Sequence, residues 1–121
     1  MVQGAELIPY NIDSVLGQDT CIIHEGELDA ASSLAAGFKS VISVPAGATA
    51  NLSWLDRFME SHFENLKDII IAVDTDSAGL KLRDELVNRL GAERCRVAVY
   101  GPGCKHANEH VVKYGIDRLR I

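Results

Sequence analysis

Short apolar runs alternate with amphipathic stretches along this chain. Cys21-Ile22-Ile23-His24, Val41-Ile42-Ser43-Val44, Ile69-Ile70-Ile71-Ala72-Val73 and the segment Cys95 to Tyr100 each read as a strand. Runs rich in Ile and Val, without polar alternation, suit strands covered on both faces. Between the first two, residues 27–36 predict a helix with Leu28, Ala31, Leu34 and Ala35 on its apolar face and Gly37 as its stop. Pro45 and the small-residue loop Ala46 to Ala50 close the second strand. Asn51 or Ser53 then caps a helix to about Asn65, with Trp54, Leu55, Phe58 and Met59 inward. Residues 77–90 give the most regular helix, with Ala78, Leu82, Leu86 and Leu90 at spacing four and Gly91 ending it. A short helix from Asn108 to Tyr114 follows the last strand.

Strands separated by helices predict an α/β fold. The expected form is a four-stranded parallel sheet with right-handed crossovers and helices on both faces, for which we take the strand order 2-1-3-4. Ligands of such sheets lie beyond the carboxyl ends of the strands, where strand order reverses. If the order is 2-1-3-4, that point falls between the first and third strands. Residues 1–19, with Pro9, Asn11 and Gly17, read as a lead-in segment, and residues 20–121 as one domain.

Composition fits a soluble globular protein: 121 residues, 47% hydrophobic and 24% charged. No apolar stretch approaches the roughly 20 residues of a membrane-spanning helix. The start, Met1 to Glu6, has neither the basic region nor the apolar core of a signal peptide. Three cysteines without a CxxC pair point to reduced thiols, a cytoplasmic setting and no structural zinc. A net charge of −5 argues against a strong stand-alone nucleic-acid binder. Five of the negative charges come from Glu25, Asp29, Asp74, Asp76 and Glu109, which bound divalent ions would offset.

Two acidic clusters change the picture most. Glu25-Gly26-Glu27-Leu28-Asp29 follows the first strand, and Asp74-Thr75-Asp76-Ser77-Ala78-Gly79 follows the third. Carboxylates at these ends converge on the point the fold reserves for ligands. Like charges so placed repel by about 4 kcal/mol per pair at ~4 Å and an effective dielectric near ~20. A hard divalent cation with oxygen ligands, such as Mg²⁺, would relieve that repulsion. The ordinary alternatives are an acidic first turn for Glu25 and Asp29, and loop and N-cap roles for Asp74 and Asp76. His24, on a buried strand, reads as a satisfied core histidine.

The ordered set Glu25-Gly26-x-x-Asp29, Asp74-x-Asp76-x-Ala78-Gly79 and Lys105-x-Ala107-Asn108-Glu109 resembles the Toprim domain of primases, topoisomerases and several nucleases. EGELDA at 25–30, VPAGA at 44–48, AVDTDSAG at 72–79 and RVAVYGPGCKHANEH at 96–110 are most similar to primases of the phage and mitochondrial-type primase–helicases, and more distantly of the DnaG type. The resemblance covers residues 10–115 and implies a Rossmann-like Toprim fold. It implies that Glu25, Asp74 and Asp76 are catalytic and gather Mg²⁺ (or Mn²⁺), with Asp29, Asn108 and Glu109 in support. Gly26 is expected to let the backbone leave the strand tightly, and Gly79 to let the next helix pack close. Lys105 and Ser77 are candidates for phosphate or nucleic-acid contact. Where the family usually carries an Asp, this chain has His106, a softer donor that favours Mn²⁺ or Zn²⁺ relative to Mg²⁺.

The activity this implies is metal-dependent nucleotidyl transfer, making RNA primers from nucleoside triphosphates on single-stranded DNA. Other primase or helicase domains of a longer protein would be the partners. A Toprim nuclease acting on DNA or RNA, and a non-catalytic Toprim module, are the alternatives.

Overall fold

The computed structural model describes residues 8–45, 52–74 and 76–98. Its strands are β1 (Thr20–His24), β2 (Val41–Ser43), β3 (Asp68–Ala72) and β4 (Cys95–Val97). All strand pairings are parallel, as the alternation of elements predicts, and the order is β2-β1-β3-β4, the one taken above. Three α-helices connect them: α1 (Glu27–Ala35), α2 (Ser53–Phe58) and α3 (Ser77–Leu90).

Right-handed crossovers dictate where each helix lies. The connection from β1 to β2 runs one way along the sheet, whereas those from β2 to β3 and from β3 to β4 run the other. Two apolar layers follow. Ile22, Val41, Ile70 and Ala72 meet Ala30 and Leu34 of α1 on one face. Cys21, Ile23, Ile42, Ile69 and Ile71 meet Trp54, Leu55 and Phe58 of α2 and Leu82, Leu86 and Leu90 of α3 on the other. Neighbouring strands β1 and β3 therefore send their helices to opposite faces, and a cleft opens between their carboxyl ends.

The lead-in residues that the structure describes close the β2 edge. Tyr10 exchanges main-chain hydrogen bonds with Ser43 (3.1 and 3.3 Å), and Ile12 and Val15 of a short 3₁₀ turn are buried in the larger layer. Cys21 is buried at the centre of this layer, and desolvation pushes its thiol up to about 12. It is a small core residue, not a nucleophile.

Two helices turn differently from their sequence pattern. The inward residues of α1 are Asp29, Ala30 and Ser33, while Leu28 is 75% exposed and Ala31 and Ala35 are exposed. The helix is rotated so that small side chains lie against the sheet and polar ones reach a buried histidine at the end of β1. In α3 the leucine row continues toward the N-terminus as Gly79, not Ala78.

The second helix also departs from the expected cap. Ser53 is its first helical residue, and the N-cap, Leu52, makes no side-chain capping bond. Past Phe58 the chain widens into a π-turn, Met59–Phe63, closed by Glu64 N–H donating to the Met59 carbonyl at 2.7 Å. The extra residue swings Phe63 inward against Trp54, edge to face with centroids 6.5 Å apart. Among the described residues, no helix is long and apolar enough to cross a membrane. Asn51, the end of the fourth strand at 99–100 and the expected helix at 108–114 lie outside the described residues.

Candidate active site

The cleft is built from the residues that end the two central strands. In the register of β1 and β3, His24 stands opposite Ala72, so Glu25 and Asp74 emerge side by side at the sheet's carboxyl edge. The Asp74 N–H donates to Glu25 Oε1 at 3.3 Å, and both residues are half-buried. Two elements 49 positions apart in sequence thus meet through one carboxylate.

Gly79 decides how closely α3 approaches this edge. A Cβ built there would lie 2.0 Å from the Asp74 carbonyl oxygen and 2.6 Å from its carbonyl carbon. Only glycine lets the first turn of the helix rest on the main chain of Asp74. Gly26 is different. It has extended dihedrals (φ −116°, ψ 153°), and an added Cβ would meet Asp29 Oδ2 at an ordinary 3.5 Å. The turn out of β1 does not demand a glycine.

Asp76 is the N-cap of α3, its Oδ1 accepting from Gly79 N–H at 2.8 Å, and it is exposed, as is Ser77 in the first helical turn. The ordinary N-cap reading of Asp76 therefore describes one of its carboxylate oxygens. Asp29 is 8% exposed and lies on the inward face of α1, its carboxylate directed toward Gly26. Among the described residues, no three carboxylate, imidazole or thiol groups gather closely enough to hold a metal ion. Glu25 and Asp76 are each turned to a main-chain N–H. Lys105, His106, Asn108 and Glu109 lie outside the described residues.

Beneath the acids sits a polar group of side chains. His24 is 1% exposed, and its Nδ1 lies 3.1 Å from the Ala72 carbonyl. That carbonyl only accepts, so Nδ1 carries the proton, and Nε2 accepts from Ser33 Oγ at 2.6 Å. The core-histidine reading of His24 holds, with every ring nitrogen bonded. Ser33 was not anticipated. Its signal in the sequence is the polar pair Asp29 and Ser33 at spacing four, beside Ala30 and Leu34 on the face that meets the sheet.

Burial lowers the His24 pKa from 6.5 to about 4, against the smaller, opposite pull of Asp29 and the Ala72 carbonyl. Between these values the unfolded chain binds a proton that the folded chain does not. Stability is therefore expected to decline as pH falls from about 6.5 to about 4. Urea midpoints across that range, in divalent-free buffer, should drop less in His24→Gln than in the parent. Equal slopes would contradict this account.

Three arginines of the described surface have acidic partners. Arg89 pairs with Asp56 of α2 at 3.6 Å, Arg83 with Asp84 at 3.0 Å, and Arg96 with Asp68. Arg89 reaches across to another helix instead of along its own to Glu85.

Comparison with known proteins agrees with this fold. A family model described as Toprim domain matches residues 19–100. The chain is 35% identical over 101 residues to the Twinkle homolog protein, chloroplastic/mitochondrial, of Arabidopsis thaliana, covering 73% of this chain and 14% of that protein. It is 35% identical over 101 residues to the Primase homolog protein of the same plant, covering 73% of this chain and 30% of that one. Among solved structures, the primase fragment of the bacteriophage T7 primase-helicase protein superposes with a TM-score of 0.68 at 33% identity. That match covers 84% of this chain and 41% of the fragment. The chain thus spans less than half the length of each of these proteins.

Proposed function

The chain belongs to the Toprim domain family, and from that premise we propose that it is the nucleotidyl-transfer module of a DNA primase of the primase–helicase kind. One observation carries the reading. Glu25 and Asp74, both motif acids, are joined by a hydrogen bond across the ends of adjacent strands at the point where strand order reverses.

In this reading the parent protein builds short RNA primers from nucleoside triphosphates on single-stranded DNA, with further primase or helicase domains as partners. Glu25, Asp74 and Asp76 would hold Mg²⁺, or Mn²⁺ in its place, with Asp29, Asn108 and Glu109 in support. The donors are nearly all carboxylate oxygens, which suits a hard divalent cation. When bound, such ions neutralise the triphosphate and lower the pKa of the attacking 3′-hydroxyl. The protein's own contribution is position. Gly79 seats α3 against Asp74, and Asp76 caps that helix. Ser77 stands where the main-chain N–H groups and dipole of α3 favour an anion, and Lys105 would add a cation for phosphate. Glu25 serves equally well as ligand or as proton carrier.

The test is primer synthesis by the parent protein carrying Asp74→Asn or Glu25→Gln. Each is expected to lower the rate by about a hundredfold or more, with little change in the thermal unfolding of the domain. Undiminished synthesis would overturn the proposal. Degradation of a labelled strand by the domain without nucleotides, in Mg²⁺ or Mn²⁺, would mark a nuclease instead. An absence of saturable Mg²⁺ or Mn²⁺ binding would mark a non-catalytic module.

A further inference from the structure

We propose that His24 is a positioning residue whose imidazole locks β1, β3 and α1 together beneath the cleft and so sets the placement of Glu25, Asp74 and Asp29. The inference rests on the metal-site reading above and extends it to a residue that touches neither metal nor substrate.

The argument begins with what each bond joins. His24 is the last residue of β1, directly before Glu25. Its Nδ1–H donates to the carbonyl of Ala72, the last residue of β3 and two positions before Asp74. Its Nε2 accepts from Ser33 Oγ, one turn beyond Asp29 on α1. One ring therefore ties the three elements that carry three of the candidate acids. The main-chain ladder already pairs β1 with β3, and the imidazole links that pair to α1 by a buried side-chain hydrogen bond.

Burial makes the link stiff. His24 and Ser33 are each 1% exposed, so water does not compete for their bonds. A buried polar network with all members satisfied rigidifies its surroundings, whereas one that loses a member leaves orphaned groups. An apolar residue of similar size at position 24 would fill the space and leave the Ser33 hydroxyl without its acceptor. The ends of β1, β3 and α1 would then be free to shift by tenths of an ångström. Metal coordination is sensitive on that scale, and changes to outer partners commonly weaken affinity about 10- to 100-fold.

The experiment compares the parent chain with His24→Leu, His24→Asn and Ser33→Ala, using two readouts. Hydrogen exchange of the Asp74 amide reports the bond to Glu25 without any metal. Mn²⁺ titration by calorimetry reports affinity, Mn²⁺ being a good stand-in for Mg²⁺ at oxygen sites. In His24→Leu the amide should exchange about tenfold faster and Mn²⁺ should bind about tenfold more weakly. His24→Asn keeps an N–H donor at the place of Nδ1 and should restore much of both. Ser33→Ala removes a single oxygen, keeps the fold even if His24→Leu does not, and should shift both readouts in the same direction.

A folded His24→Leu, or failing that Ser33→Ala, with parental amide exchange and parental Mn²⁺ affinity would overturn the proposal. Lower thermal stability with neither readout changed would do the same, because it marks His24 as packing alone. If the parent chain itself bound no Mn²⁺ while the amide exchange shifted as expected, the metal reading would fall and the positioning by His24 would stand.

Discussion

Gly79→Ala is expected to destabilise the domain by about 3 kcal/mol. The new methyl carbon would stand 2.0 Å from the Asp74 carbonyl oxygen and 3.1 Å from its Cα. The obstacle is main chain, so no rotamer change relieves it. Either α3 lifts from the sheet, drawing Leu82 out of the layer it shares with Ile69 and Ile71, or the turn after β3 is pushed aside. Alanine's better helix propensity returns at most about 1 kcal/mol, which is too little to compensate. The urea midpoint should fall with an unchanged m-value, and the melting temperature should fall by about 10 °C or more. A parental midpoint would show that α3 does not rest on Asp74 in solution. Because the displaced group is Asp74 itself, any activity of the parent protein should fall together with stability.

Arg94→Ala is expected to cost about 2–3 kcal/mol, from a residue with no motif to mark it. Its Nε donates to the Leu90 carbonyl at 2.6 Å, at the end of α3. Its Nη1 donates to the carbonyls of Phe63, Glu64 and Leu66 at 2.6, 3.2 and 2.9 Å, where the π-turn gives way to β3. One guanidinium thus ties the last turn of α3 to the carbonyls of the loop that leads from the π-turn into β3. Arg94→Lys should recover only a small part, because an ammonium cannot reproduce the planar fork. Arg96→Ala serves as the control. Its partner Asp68 is also charged, but the pair is solvent-exposed, and stability should change within error. Equal effects at positions 94 and 96 would contradict this ranking. Thermal melts of the four proteins at one pH decide it.

Much of the fold was legible because it depends on local, one-dimensional signals. Apolar runs such as Ile69 to Val73 admit few conformations other than a buried strand, and Leu82, Leu86 and Leu90 repeat at the helical period. Handedness then limits the topologies to a few, and the order β2-β1-β3-β4 is the one among them that brings Glu25 and Asp74 to the same edge. The face of α1 was misjudged for a definite reason. Hydrophobicity favours Leu28, but the buried partner of that helix at the sheet edge is an imidazole, which rewards Asp29 and Ser33. A periodicity argument sees only one helix at a time. The same blindness hid Arg94, whose acceptors at Phe63, Glu64 and Leu66 come near only after β3 and α3 have packed.

The amino-acid order by itself determined the kind of molecule: a parallel α/β sheet and carboxylates at the ends of two strands, since each depends on neighbours in sequence and on chirality. Tertiary structure decided which atoms meet. It joined the Asp74 N–H to Glu25, drew His24, Ser33 and the Ala72 carbonyl into one buried network, and brought Arg94 to the carbonyls of Phe63, Glu64 and Leu66. Those outcomes depend on distances between elements far apart in the chain, which close packing sets to tenths of an ångström and residue spacing along the chain cannot encode.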